Sequence, residues 1–104
     1  MGAEERQPGG AVVERSKSKT RRPELWKVVL HNDDYTTMEF VIEVLESIFH
    51  QSPAEAFRIM MQVHTRGHGV CGSYPFEVAE TKVATVHDRA RERGYPLRAS
   101  LEEA

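Results

Sequence analysis

The sequence predicts an α+β fold: one small domain in which three helices pack on a three-stranded antiparallel sheet, in the order β-α-α-β-α-β. Three features carry that expectation. A β-branched and aromatic run stands near residue 25, two Ser/Thr-x-x-Glu signatures precede apolar stripes of helical period, and glycines sit where those stripes stop. The 104 residues suffice for a single core and leave little room for a multi-step enzyme.

Residues 1–22 are rich in Glu, Arg, Lys, Gly and Ser, with Ala11-Val12-Val13 the only apolar cluster, so little burial is available to offset ordering entropy. A flexible extension is expected there, and a basic one, since Arg6, Arg15, Lys17, Lys19, Arg21 and Arg22 outnumber Glu4, Glu5 and Glu14. The folded domain is then 23–104. Leu25-Trp26-Lys27-Val28-Val29-Leu30 offers the residues of a first strand. Asn32-Asp33-Asp34 follows as a turn, because short Asn and Asp side chains bond nearby backbone.

Thr36-Thr37-Met38-Glu39 has capping-box spacing, with Thr36 as the cap of helix one and Val41, Val44, Leu45, Ile48 and Phe49 forming its buried stripe to about His50. Ser52-Pro53-Ala54-Glu55 repeats the signature and starts helix two, with Ser52 as cap and Pro53 at the first helical position. Met60 and His64 lie one turn apart on that helix, and Gly67 is its natural stop. Gly69 to Tyr74 reads as a second strand in which missing side chains mark a close approach by another segment. Pro75 opens helix three, with Ala79, Val83, Val86 and Ala90 buried, and Glu77, Glu80, Lys82, Asp88, Arg89 and Arg91 outside. Gly94 ends it, Tyr95-Pro96 turns, and Leu97 to Leu101 forms a short last strand.

Fourteen basic against sixteen acidic residues give a net charge of -2, without the positive excess that phosphate binding needs, so nucleic acid is not an expected partner. The single cysteine, Cys71, excludes an internal disulfide and suits a reducing compartment. No apolar run reaches the roughly 20 residues of a membrane span, and no signal-peptide core is present. A cytoplasmic protein without membrane partners is the expectation.

Two constellations suggest a binding site. Asn32, Asp33 and Asp34, joined by His64 if helix two returns beside the turn, are acceptors, and an ammonium group offers three donors and no acceptor, so together they would complement a free amine. His64 could equally be satisfied locally on its helix. Met38, Val41, Met60 and Val63 could be ordinary core, or an adaptable apolar pocket in which thioethers reshape around different guests. A metal-dependent hydrolase using His64, His68, Asp33 and Asp34 is a weaker alternative, because Gly67 should end the helix between the two histidines. No nucleophile with a base and orienter is evident.

Taken together, Trp26 to Val41, Ile59-Met60-Met61-Gln62-Val63-His64, Gly69-Val70-Cys71-Gly72 and Ala79-Glu80-Thr81-Lys82-Val83 resemble ClpS, the bacterial adaptor family that delivers N-degron substrates to the Clp ATPase and protease. The resemblance covers roughly residues 23 to 103. It implies no catalytic activity, no cofactor and no metal. By position, Asn32, His64 and one or both of Asp33 and Asp34 would hold the α-amino group of a substrate, and Thr36, Met38, Val41, Met60, Val63 and Leu97 would line the pocket for its first side chain: Leu, Phe, Tyr or Trp in the family. Met38 corresponds to a gate against β-branched residues. Glu77 and Lys82 match charged positions that dock the N-terminal domain of a ClpA-like AAA+ unfoldase, and the basic extension resembles one that aids handover. Two positions depart from the pattern: Ala99 stands near a usual cysteine, and Thr37 where proline is common. A ribosome-associated protein-binding module of the same fold is the remaining alternative.

Overall fold

A computed structural model describes residues 24–104; the extension over residues 1–22, and its boundary with the domain, lie outside the described residues. The elements run β1 (Leu25–His31), α1 (Met38–Ser47), α2 (Pro53–Arg66), β2 (His68–Pro75), α3 (Phe76–Arg93) and β3 (Arg98–Glu103). The sheet order is β2-β1-β3, antiparallel throughout, so the expected α+β fold and element order hold.

Central β1 sends Val28 and Leu30 into the core, where they meet Phe40, Val44 and Leu45 of α1, Ile59, Met60 and Val63 of α2, and Ala79, Val86 and Ala90 of α3. Side chains alternate across a strand, so Lys27, Val29 and His31 face the other side of the sheet. Cys71 is buried in the same core, and that burial pushes its thiol up to about 12, leaving it protonated and inert.

The start of α1 differs from the capping box read in the sequence. The cap is Thr37, whose hydroxyl accepts from the Phe40 N–H at 3.1 Å, because Thr36 is already held by Asp33. The helix also stops at Ser47, short of His50. Lys82 donates to the Ile48 carbonyl at 2.7 Å, and His50 takes a left-handed conformation (φ 57°) that turns the chain toward α2. Lys82 is therefore not a solvated charge on an outer face: it caps α1 and stands over the Tyr74 and Phe49 rings at 5.1 and 5.7 Å.

Helix α2 follows the sequence closely, with Ser52 accepting from the Glu55 N–H and Gly67 closing the helix at φ 91°. The last strand begins one residue later than expected and extends to Glu103. Pairing explains the extension, since Glu102 and Glu103 lie opposite Lys27 and Trp26.

Gly69 is where β2 and α2 touch most closely. A Cβ there would lie 2.9 Å from Cγ2 of the buried, stiff Val63 and 3.4 Å from the Ile59 carbonyl oxygen. Gly69→Ala is expected to cost about 1–3 kcal/mol in urea unfolding, because neither neighbour can yield without shifting α2. A variant as stable as the parent would show that this approach is not a constraint.

Candidate functional site

The turn after β1 is built around one carboxylate. Asp33 Oδ1 accepts from the Tyr35 and Thr36 N–H groups, each at 2.8 Å, and Oδ2 accepts from the Thr36 hydroxyl at 2.7 Å. Partial burial pulls the Asp33 carboxyl upward, and the three donors from Thr36 and Tyr35 outweigh it, holding its pKa below the usual carboxylate range. Both lone pairs of Oδ1 are engaged, while Oδ2 retains one. Asp34 and Asn32 are exposed.

A single backbone hydrogen bond ties this turn to α2: the Asn32 N–H donates to the Gly67 carbonyl at 2.9 Å. Gly67 follows the last turn of α2, three residues beyond His64, so the bond brings the histidine beside the acidic turn. The result is a pocket of about 230 Å³. Asn32, Asp33, Asp34 and His64 supply its titratable and amide groups, and Thr36, Met38, Val41, Met60 and Val63 complete the lining. Val41, Met60 and Val63 are buried to 6% exposure or less, whereas Met38, the first residue of α1, is 42% exposed. Apolar surface therefore lies deep, and the polar groups face the solvent side.

The structure thus brings together nine of the ten residues expected at the substrate site and leaves out one. Leu97 does not line this pocket; it is 4% exposed within the hydrophobic core, just ahead of β3. His68 is also elsewhere, in the first position of β2 and outside the lining, and among the described residues no group of three or more His, Cys, Asp or Glu could hold a metal ion. Among the described residues, no helix is long and apolar enough to cross a membrane.

The second set, Glu77 and Lys82, lies on α3 and shares a shallow groove of about 380 Å³ with Val78 and Thr81. Val78 and Phe76 are exposed at 44% and 43%, and Phe76 packs edge-on against Trp26 with ring centroids 5.3 Å apart. Neither α3 nor this groove contributes to the first pocket. The two surfaces share no lining residue.

A family model described as "ATP-dependent Clp protease adaptor protein ClpS" matches residues 21–100. The chain is 59% identical over 87 residues to an ATP-dependent Clp protease adapter protein ClpS of Nitratidesulfovibrio vulgaris, covering 84% of this chain and 87% of the relative. It is 52% identical over 96 residues to the protein of that description from Rhodospirillum centenum, covering 92% and 89%. Among solved structures, Agrobacterium tumefaciens ClpS2 bound to L-phenylalaninamide superposes with a TM-score of 0.76 at 41% identity, over 80% of this chain and 100% of that one.

The lowered pKa of Asp33 makes the turn pH-sensitive in one direction. A depressed folded-state value contributes stability above the ordinary carboxyl value, near 3.9, and that contribution is lost as pH falls through the folded value. Asp33→Asn keeps one acceptor and loses the charge, so it should cost roughly 1 kcal/mol at pH 7 after allowance for solvent screening. In urea unfolding the difference between parent and variant is expected to be constant above about pH 5 and to close below about pH 4. A difference that persisted at pH 2.5 would show that the charge is not what holds the turn.

Proposed function

The chain belongs to the ClpS family of ATP-dependent Clp protease adaptors, and from that premise we propose that it binds proteins through a free N-terminal Leu, Phe, Tyr or Trp, an N-degron, and delivers them to a Clp ATPase and protease without chemistry of its own. The observation that supports this most is the division within the pocket, with acceptors toward solvent and apolar walls beneath.

An α-ammonium group carries three donors and needs acceptors around it. Asn32 offers its amide oxygen, Asp34 its free carboxylate, and His64 a ring nitrogen when the imidazole is neutral. Asp33 contributes its charge and the remaining lone pair on Oδ2, since its other capacity is engaged within the turn. An internal or acetylated residue would leave these acceptors desolvated and unpaired, which is the condition for strong rejection. The first side chain then enters against Val41, Met60 and Val63, where burying one large apolar group contributes roughly 1.5–3 kcal/mol. Met38 stands at the entrance as the gate. A β-branched guest is stiff at χ1 and cannot bend past it as Leu or Phe can.

Fluorescence anisotropy with a Leu-initiated peptide tests this reading. Acetylation of the N-terminus should weaken binding at least about 100-fold, and His64→Ala about 10-fold or more. Met38→Ala should admit Ile- and Val-initiated peptides that the parent excludes. Equal binding of free and acetylated peptides would overturn the amine site.

The groove on α3 is the proposed docking surface for the N-terminal domain of a ClpA-like unfoldase, with exposed Val78 beside the charge of Glu77. Glu77→Lys should weaken binding of that domain in calorimetry by about 10-fold or more while leaving peptide affinity unchanged. Lys82 is a poorer probe, because its removal also uncaps α1. Unchanged docking by Glu77→Lys would place the partner surface elsewhere.

A further inference from the structure

On the face of the sheet away from the helices, one row of side chains crosses all three strands at the end nearest the pocket. His31 of β1 lies opposite His68 of β2 on one side and Arg98 of β3 on the other. Directly opposed residues of antiparallel strands hold their Cβ atoms about 4.5–5.5 Å apart, so three groups able to carry positive charge stand side by side. Within the row there is no carboxylate. The acidic charge that acts on His31 is Glu102, two rows along β3 from Arg98. Among the described residues Arg98 forms no ion pair. His31 is anchored by a 2.6 Å hydrogen bond between its Nε2 and the Ser100 hydroxyl.

His31 immediately precedes Asn32, and His68 immediately follows Gly67, so the histidine pair brackets the one hydrogen bond that joins the acidic turn to the end of α2. Whatever sets the spacing of His31 from His68 also sets the spacing of Asn32 from Gly67, and through it that of Asn32 and Asp34 from His64. We infer that His31 is a positioning residue for the amine site: neutral, it holds the Asn32–Gly67 junction closed, and on gaining a proton beside His68 and Arg98 it loosens that junction and weakens N-degron binding.

The electrostatics agree in sign. Burial lowers the His31 pKa first, the charges of Arg98 and His68 lower it further, and Glu102 opposes them. A histidine with a depressed folded-state value contributes stability that is complete above its ordinary value, about 6.5, and is lost as pH falls through the folded value. Protonation also makes Nε2 a donor only, so in the charged form the bond runs from Nε2–H to the Ser100 hydroxyl oxygen. The inference rests on the amine-site reading for its functional consequence and on the sheet geometry for its mechanism.

Two measurements on the full chain test it. His31→Gln can keep a hydrogen bond to Ser100 and carries no charge at any pH. Binding of a fluorescent Leu-initiated peptide by parent and variant should agree within about 2-fold at pH 7.5, and at pH 5.5 the parent should have lost about 5-fold more affinity than the variant. In parallel, the Asn32 amide resonance of the unliganded protein should shift with the midpoint of the His31 ring and remain still in His31→Gln, while Arg98→Gln moves that midpoint upward. Superimposable affinity profiles for parent and variant, or an Asn32 amide that ignores His31, overturns the proposal. Failure of the parent to distinguish free from acetylated peptide at pH 7.5 would instead overturn the amine site, and the Asn32 resonance still decides whether His31 positions the junction.

Discussion

The Asp33 carboxylate is the interaction on which the pocket depends. Three donors from Tyr35 and Thr36 converge on it, and this fixes the path of the chain between the central strand and the first helix. With Thr36 bent back to Asp33, Thr37 is the next hydroxyl able to cap α1, and the helix begins at Met38. Met38 is thereby placed at the pocket entrance, and Val41, one turn on, within its wall. A carboxylate that accepts hydrogen bonds from its own turn keeps its charge to lower pH than an isolated one. The turn is consequently ordered and negative under the same conditions.

The other half of the pocket comes from α2, and its position is set at two points. Gly69 lets Val63 and the Ile59 carbonyl sit against β2 with no intervening side chain. The Asn32 N–H takes the Gly67 carbonyl, one of the acceptors that a helix end leaves unsatisfied. Packing at Gly69 therefore fixes how deep α2 lies, and the Asn32 bond fixes where its end meets the turn. Binding groups carried on two elements that are locked in this way need little rearrangement when a ligand arrives, so less of the interaction energy is spent on ordering the receptor.

Much of this was legible in the sequence, because strand composition, cap residues and helical period are local signals. The α+β fold, the element order, the start and stop of α2 and nine lining residues all follow from signals of that kind or from the family pattern. The differences lie where a partner outside the motif itself decided between local equals. Thr36 and Thr37 are equivalent as caps until Asp33 claims one of them. Leu97 follows a proline at a strand edge, and nothing near it in sequence says whether it faces the core or the pocket. Lys82 has the periodicity of an exposed residue, yet its long stem reaches the Ile48 carbonyl 34 positions away. The His31–His68–Arg98 row depends wholly on strand register. Register is not written in any one segment.

On the proposed reading of the pocket, affinity and selectivity have separate sources, which is how a domain this small would discriminate. The buried wall of Val41, Met60 and Val63 would reward any large apolar side chain, so by itself it would capture exposed hydrophobic residues of many unfolded proteins. The acceptors contribute little net energy when satisfied, because they exchange water for an ammonium group of similar hydrogen-bonding power. They impose a large cost when an amide or acetyl group is presented, because desolvated acceptors are then left without donors. Selectivity for a free chain terminus thus arises from the penalty on the wrong ligand, and that penalty requires the acceptors to stay in place. If Asn32 and Asp34 could turn away to water, an acetylated chain would bind nearly as well. On that reading, the hydrogen bonds of Asp33 and of Asn32 with Gly67, which also build the fold, are the ones that keep the penalty in force.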